Sequence, residues 1–123
     1  MERVEEFNRD GKNFIYIDFS GLSSNDRFVE MIAFIKPIIA KYPERSLYTI
    51  TNIENTRFDS ATKEIAAEYM AHNAPCVKYG AVFGLNGIKK MMLNAIFKLS
   101  GRKNMLFAFT KERAIEMLLQ HGS

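Results

Sequence analysis

The sequence predicts an α/β fold, a mixed sheet with helices on both faces, in the order β-β-α-β-α-β-α-β-α. Three observations predict it. Short runs rich in aromatic and β-branched residues recur along the chain, at Phe14–Phe19, Leu47–Ile53 and Val77–Phe83. Helix-spaced apolar patterns separate them, which implies parallel strands joined by right-handed crossovers. An Asp-Gly pair, Asp10-Gly11, sits in a turn cluster near the start and marks a hairpin, adding one antiparallel strand.

The elements follow in order. Val4 to Asn8 reads as a first strand, Arg9 to Asn13 as the turn and Phe14 to Phe19 as the second strand. Ser20 to Asn25 is a loop with residues able to cap a helix, and Asp26 suits the first turn. Phe28, Ile32, Ile35 and Ile39 then keep helical spacing. Pro37 is expected to kink or restart this helix, because it lacks a donor and clashes with the carbonyl of Ala33. Leu47 to Ile53 is a strand. Glu54 to Arg57 is a loop, and Phe58-Asp59-Ser60 opens a helix to about His72, capped by Asp59 or Ser60, with Ile65, Tyr69 and the alanines buried.

Val77 to Phe83 is the next strand, followed by Gly84-Leu85-Asn86-Gly87 and a helix from Ile88 to Leu99 ended by Ser100-Gly101. Asn104 to Phe109 is the last strand. Thr110 caps a final helix with Ala114, Ile115, Leu118 and Leu119 inward, and Gly122 falls past its end. No linker, repeat or low-complexity tract interrupts this pattern, so residues 1–123 are read as one domain.

Composition narrows the function. At 47% hydrophobic and 25% charged, the 123 residues match an ordinary globular mix, which argues against disorder. No apolar run approaches the ~18 residues of a membrane span. The charged start, Glu2-Arg3-Val4-Glu5-Glu6, lacks the core of a signal peptide. A single cysteine, Cys76, excludes an internal disulfide framework and fits a cytoplasmic setting. With only His72 and His121 besides, no metal site or cofactor is expected.

Charge is unevenly spread. Residues 1–76 hold 9 basic and 12 acidic residues, a balance of −3, and residues 77–123 hold 8 and 2, a balance of +6. From Tyr69 to Lys111 there is no Asp or Glu. Such polarity suits an anionic partner or a membrane surface, or a solvated basic face.

No catalytic residue is assigned. Cys76 lies four residues after His72 but reads as a small core residue at a strand start. Glu64 and Glu68 share one helical face and read as solvated surface. Asp18 interrupts an apolar strand near its end, where ligands bind in open α/β sheets. Gly80, Gly84 and Gly87 fit neither dinucleotide nor P-loop spacing. The turn Gly84–Gly87 still opens a helix whose free amides, with Asn86, Lys89 and Lys90, could meet an anion.

The Gly87–Leu99 helix is apolar most of the way round. Ile88, Met91, Met92, Ala95, Ile96 and Leu99 are expected to form its buried stripe, with Leu93 and Phe97 on another side and lysines flanking them. Such a helix is extra core, or a surface for lipid, ligand, partner protein or a second copy in a homodimer. Nucleic acid is disfavoured, since the nearby aromatics are better placed as core than as stacking platforms.

The segment Ser46–Met70, a strand, a short loop, Arg57-Phe58-Asp59-Ser60 and a helix, resembles the STAS domains. The fuller resemblance is to the SpoIIAA-like, or STAS/SEC14-like, branch. It rests on Arg57-Phe58, Pro75-Cys76-Val77-Lys78, Gly84-Leu85-Asn86-Gly87, Leu93-Asn94-Ala95-Ile96 and Gly101-Arg102 in that order. The resemblance covers essentially the whole chain. It implies a non-enzymatic interaction and regulatory module that docks a partner protein, with Ser60, preceded by Asp59, at the phosphorylated position. The chain departs from the regulated pattern in lacking the Gly that usually follows that serine. The alternative implied by the SEC14-like label is a binder or sensor of an apolar, lipid-like anionic ligand, using the Gly87–Leu99 helix. Asp18, Arg57, Asn86, Lys89, Lys90, Leu93 and Phe97 are the candidate ligand or partner surface.

Overall fold

The structure, a computed structural model, describes residues 3–57 and 59–121. The expectations for Phe58 and Gly122, and for the first two residues, lie outside the described residues. The chain runs β1(Val4–Arg9), β2(Lys12–Asp18), α1(Asn25–Ala40), β3(Leu47–Asn52), α2(Ser60–Asn73), β4(Val77–Phe83), α3(Gly87–Ser100), β5(Met105–Phe107) and α4(Lys111–His121). This is the expected alternation.

The five strands form one sheet in the order β1-β2-β3-β4-β5, with β1 antiparallel to β2 and every later pair parallel. The hairpin closes through Asp10 and Gly11, both at positive φ (53° and 79°), the pair of conformations a two-residue primed turn requires. Asp tolerates the first position and Gly is at ease in the second.

Sequential strand order has a consequence for the helices. Each right-handed crossover steps the same way across the sheet, so α1, α2 and α3 stack on one face. There they cover Ile15, Ile17, Leu47 and Val82 with Ile35, Ala66, Tyr69, Leu93 and Ile96. After the edge strand β5 the chain turns over, and α4 lays Ala114, Ile115 and Leu118 on the opposite face, against Tyr48, Ile50, Ala81 and Phe83. The two-residue strand period separates the two cores, as in the neighbours Phe14 and Ile15, each fully buried on its own side. One helix cannot cover five strands. Beyond α4, stacked Phe7 and Phe14 (5.1 Å) cover that face, and at the start of α4 the Lys111 ammonium lies over the Tyr16 ring (4.2 Å).

Two local details follow from packing. Of the two outcomes expected at Pro37, a kink or a restart, the restart does not occur, since the first helix runs from Asn25 to Ala40. Packing of Phe28, Ile32, Ile35 and Ile39 into the main core outweighs the lost bond and the ring's clash with the preceding turn. The last strand is three residues long rather than six, because it pairs only with β4, over Gly80–Val82.

Candidate functional site

At the carboxyl ends of β3, β4 and β5 a cleft of about 570 Å³ opens. Glu54 and Asn55 form one wall, Gly84–Gly87 the floor, and Lys89, Lys90 and Phe107–Phe109 the other wall. This is the end at which open α/β sheets bind ligands. Asn86 caps α3, its Oδ1 accepting from the Lys89 amide at 2.9 Å. The Lys89 ammonium donates to the Ile53 carbonyl at 3.0 Å. Burial holds its pKa below the ordinary value, partly opposed by Glu54. Lys90 lies with its ammonium over the Phe107 ring, 5.2 Å from the centroid. Gly84 takes φ +85°, with its backbone against Glu54, and so brings the β4 turn up to the β3 turn.

The structure thus brings Asn86, Lys89 and Lys90 together and leaves the other candidates elsewhere. Asp18 closes its own loop. Its Oδ1 accepts from the Ser20 amide at 2.8 Å, and Arg3 stands 4.0 Å away. Arg57 is exposed, and its amide donates to the Leu22 carbonyl at 2.9 Å. Leu93 and Phe97 are buried, so they are core rather than surface. With Tyr69, Asn73 and Arg102 they line a cavity of about 60 Å³ beneath α3. That is smaller than the ~150 Å³ that admits benzene, so it has no room for an acyl chain.

The expected polarity of α3 is reversed in part. Leu93, Ile96 and Phe97 face the core, whereas Ile88, Met91 and Leu99 are 72%, 74% and 67% exposed, and Ala95 between them is exposed. Their 3-4-4 spacing makes a continuous outward stripe on one side of the helix. Lys90, Asn94 and Lys98 follow on the next side, also exposed. The reason is position: among the helices α3 packs chiefly against α2, and it stands over the short edge strand β5, so only one arc of it is well covered. Phe109, 95% exposed, stands in the cleft wall together with Lys89 and Lys90. Phe109 was expected inside the last strand, but it lies past the end of β5, and no sequence signal marks it as part of the cleft. The outward stripe of α3 does have one, the presence of two apolar arcs on one helix.

At the start of α2 it is Asp59 that caps, not Ser60. Asp59 Oδ1 accepts from the Thr62 amide at 2.9 Å and lies 2.9 Å from the Thr62 hydroxyl, which reaches Asn25 Oδ1 at 2.6 Å. The amide bond, then the hydroxyl, hold the Asp59 carboxyl below its ordinary pKa. Ser60 is exposed in the first turn. His72 turns to Asn73 Oδ1 at 3.4 Å rather than to Cys76. Glu68 pairs with Lys36 at 3.4 Å, tying α2 to α1. Among the described residues, no helix is long and apolar enough to cross a membrane, and no group of three His, Cys, Asp or Glu could hold a metal.

No family model matches the sequence, and no curated protein or solved structure matches it either.

Proposed function

We propose that the chain is a non-enzymatic docking module with the STAS-like character its motifs suggest, and that α3 is the element it docks with. Its target is a membrane surface rich in anionic lipid. The observation that carries this reading is the outward stripe Ile88, Met91, Ala95 and Leu99, bordered by Lys90 and Lys98 in a stretch that lacks any Asp or Glu from Tyr69 to Lys111. Apolar side chains enter the interface and lysines meet acidic headgroups, which is how an amphipathic helix rests on a bilayer. The small volume beneath α3 favours a lipid met at the surface over one carried inside.

Burying a mostly exposed Met or Leu is worth roughly 1–2 kcal/mol, and each nearby lysine about 1 kcal/mol. Vesicle flotation with and without phosphatidylserine tests the reading. Retention should require the anionic lipid, weaken with salt and fall at least about tenfold in Met91→Glu/Leu99→Glu. Equal retention of the double variant would overturn it.

A second reading is supported by the start of α2. Because Asp59 caps the helix, Ser60 is left exposed at the positive end of the dipole, where a phosphate would be tolerated and would add about −1.5 to −2 charge. In this reading a partner protein docks there and phosphorylation of Ser60 controls it. A partner captured by the wild type and lost with Ser60→Glu supports the switch. Equal recovery by both removes it.

A further inference from the structure

The opposite end of the sheet carries a second depression, of about 370 Å³, at the amino ends of β3, β4 and β5. Arg45, Lys78, Tyr79, Arg102, Lys103 and Asn104 line it, and the capping residues of α2 and α3, Ala74 and Gly101, close its edge. Four of the lining residues are cations and none is acidic. We propose that this pocket binds a phosphate-bearing anion, a phosphate ester or a diphosphate.

The cations do not come from one charged run. Arg45 arrives on the α1–β3 connection, Lys78 on β4, and Arg102 and Lys103 on the α3–β5 connection. A solvated basic face needs no such convergence. Helix ends account for part of the charge, since cations offset the negative end of a helix dipole. Two helices end here, at about half a unit of negative charge each, so of the charges on Arg45, Arg102 and Lys103 roughly two exceed what the helix ends offset. Among the described residues, Arg45, Arg102 and Lys103 have no carboxylate within 4 Å.

Arg102 is the most informative of them. It is 9% exposed, yet its partners are all neutral. Nε donates to Asn104 Oδ1 at 2.8 Å, and Nη1 to the Met70 carbonyl at 3.2 Å. Nη2 meets only the Met105 thioether, at 3.1 Å. A thioether is a weak acceptor and brings no counter-charge, and Met70 and Met105 lie toward the small cavity beneath α3, so Arg102 reaches the depression from its Asn104 side. A buried cation without a counter-charge is costly, and a bound anion offsets that cost. Asn104 is held by its own bonds to the Val77 and Lys78 carbonyls, which fixes the Arg102 fork before any ligand arrives. Arg45 sits at φ +53°, with its amide bonded to the Pro75 carbonyl at 2.9 Å. The volume lies within the range of small-molecule sites, roughly 300–1,000 Å³. This inference stands apart from the α3 reading, because it uses other residues at the other end of the strands.

Titration calorimetry with inorganic pyrophosphate, on the full chain at low and at ~0.15 M salt, tests it. The variant is Arg45→Gly/Lys103→Gln. Both side chains are exposed and a glycine suits φ +53°, so the fold is kept, which circular dichroism verifies. Arg27→Gln, an exposed cation in the first turn of α1 that lines none of these cavities, is the control. Saturable one-to-one binding that weakens about tenfold or more in the double variant and is kept in the control supports the site. Absence of binding at low salt overturns it. So does an equal loss in variant and control, which would mean only diffuse attraction. Retention on phosphatidic acid vesicles that pyrophosphate competes away would assign a lipid headgroup as the source. Pyrophosphate binding without such retention would assign a soluble ligand.

Discussion

Gly84 joins the β4 turn to the β3 turn, and replacing it with alanine should damage the cleft and the fold together. A Cβ there would lie 2.5 Å from the Glu54 amide nitrogen, 2.8 Å from Glu54 Cα and 3.0 Å from Asn52 Oδ1. The first two are backbone atoms that cannot swing aside. Asn52 Oδ1 is itself engaged, accepting from the Glu54 amide at 2.9 Å. The φ of +85° adds about 1–2 kcal/mol for any residue with a Cβ. Forcing an extra methyl into filled space adds about 1–3 kcal/mol. Gly84→Ala should therefore lose roughly 2–5 kcal/mol, or roughly 10–20 °C in Tm for a chain of this size.

Gly87, three residues on, supplies the comparison. It is the first residue of α3, with no heavy atom within 4 Å of its Cβ position and no positive φ. Gly87→Ala should be neutral or stabilise by about 0.4–1 kcal/mol, by narrowing the unfolded ensemble. Urea unfolding followed by circular dichroism reads both, with a common m-value as the check on two-state behaviour. A loss below about 1 kcal/mol for Gly84→Ala, or equal losses for the two variants, would refute the close approach of the two turns.

Two further predictions rest on the same helices. Leu93→Ala should cost about 2–5 kcal/mol and Leu99→Ala less than about 0.5 kcal/mol, although both are leucines of α3, because the first is 5% exposed and the second 67%. Paired urea melts separate them, and similar values would contradict the orientation of α3. Asp59→Ala should lower stability at neutral pH by removing the α2 cap. The folded carboxyl titrates below its ordinary 3.8, so its contribution is present above that value and lost as pH falls through the folded pKa. The Tm gap between wild type and variant should therefore narrow below about pH 3.8, and a gap that widens on acidification would refute the cap.

Much of this protein was legible along the chain, wherever the physics is local. Asp10-Gly11 specifies its turn through backbone conformation, and the α2 cap narrows to Asp59 or Ser60, of which the structure selects Asp59, three residues from its target amide. The α/β alternation follows from apolar period alone, and the gathering of Asn86, Lys89 and Lys90 from one strand–helix turn. That the helix continues through Pro37 without a restart is a tertiary effect, because core packing outweighs a local penalty. Only the tertiary structure decided which arc of α3 is covered. That depends on the strand order, which makes β5 an edge and leaves α3 at the end of its layer. It also decided that Arg45, Lys78, Arg102 and Lys103, spread over 59 residues of chain, meet in one pocket whose lining has no acidic residue. A sequence records charge and period, but the convergence of distant loops is set by how the sheet is wound.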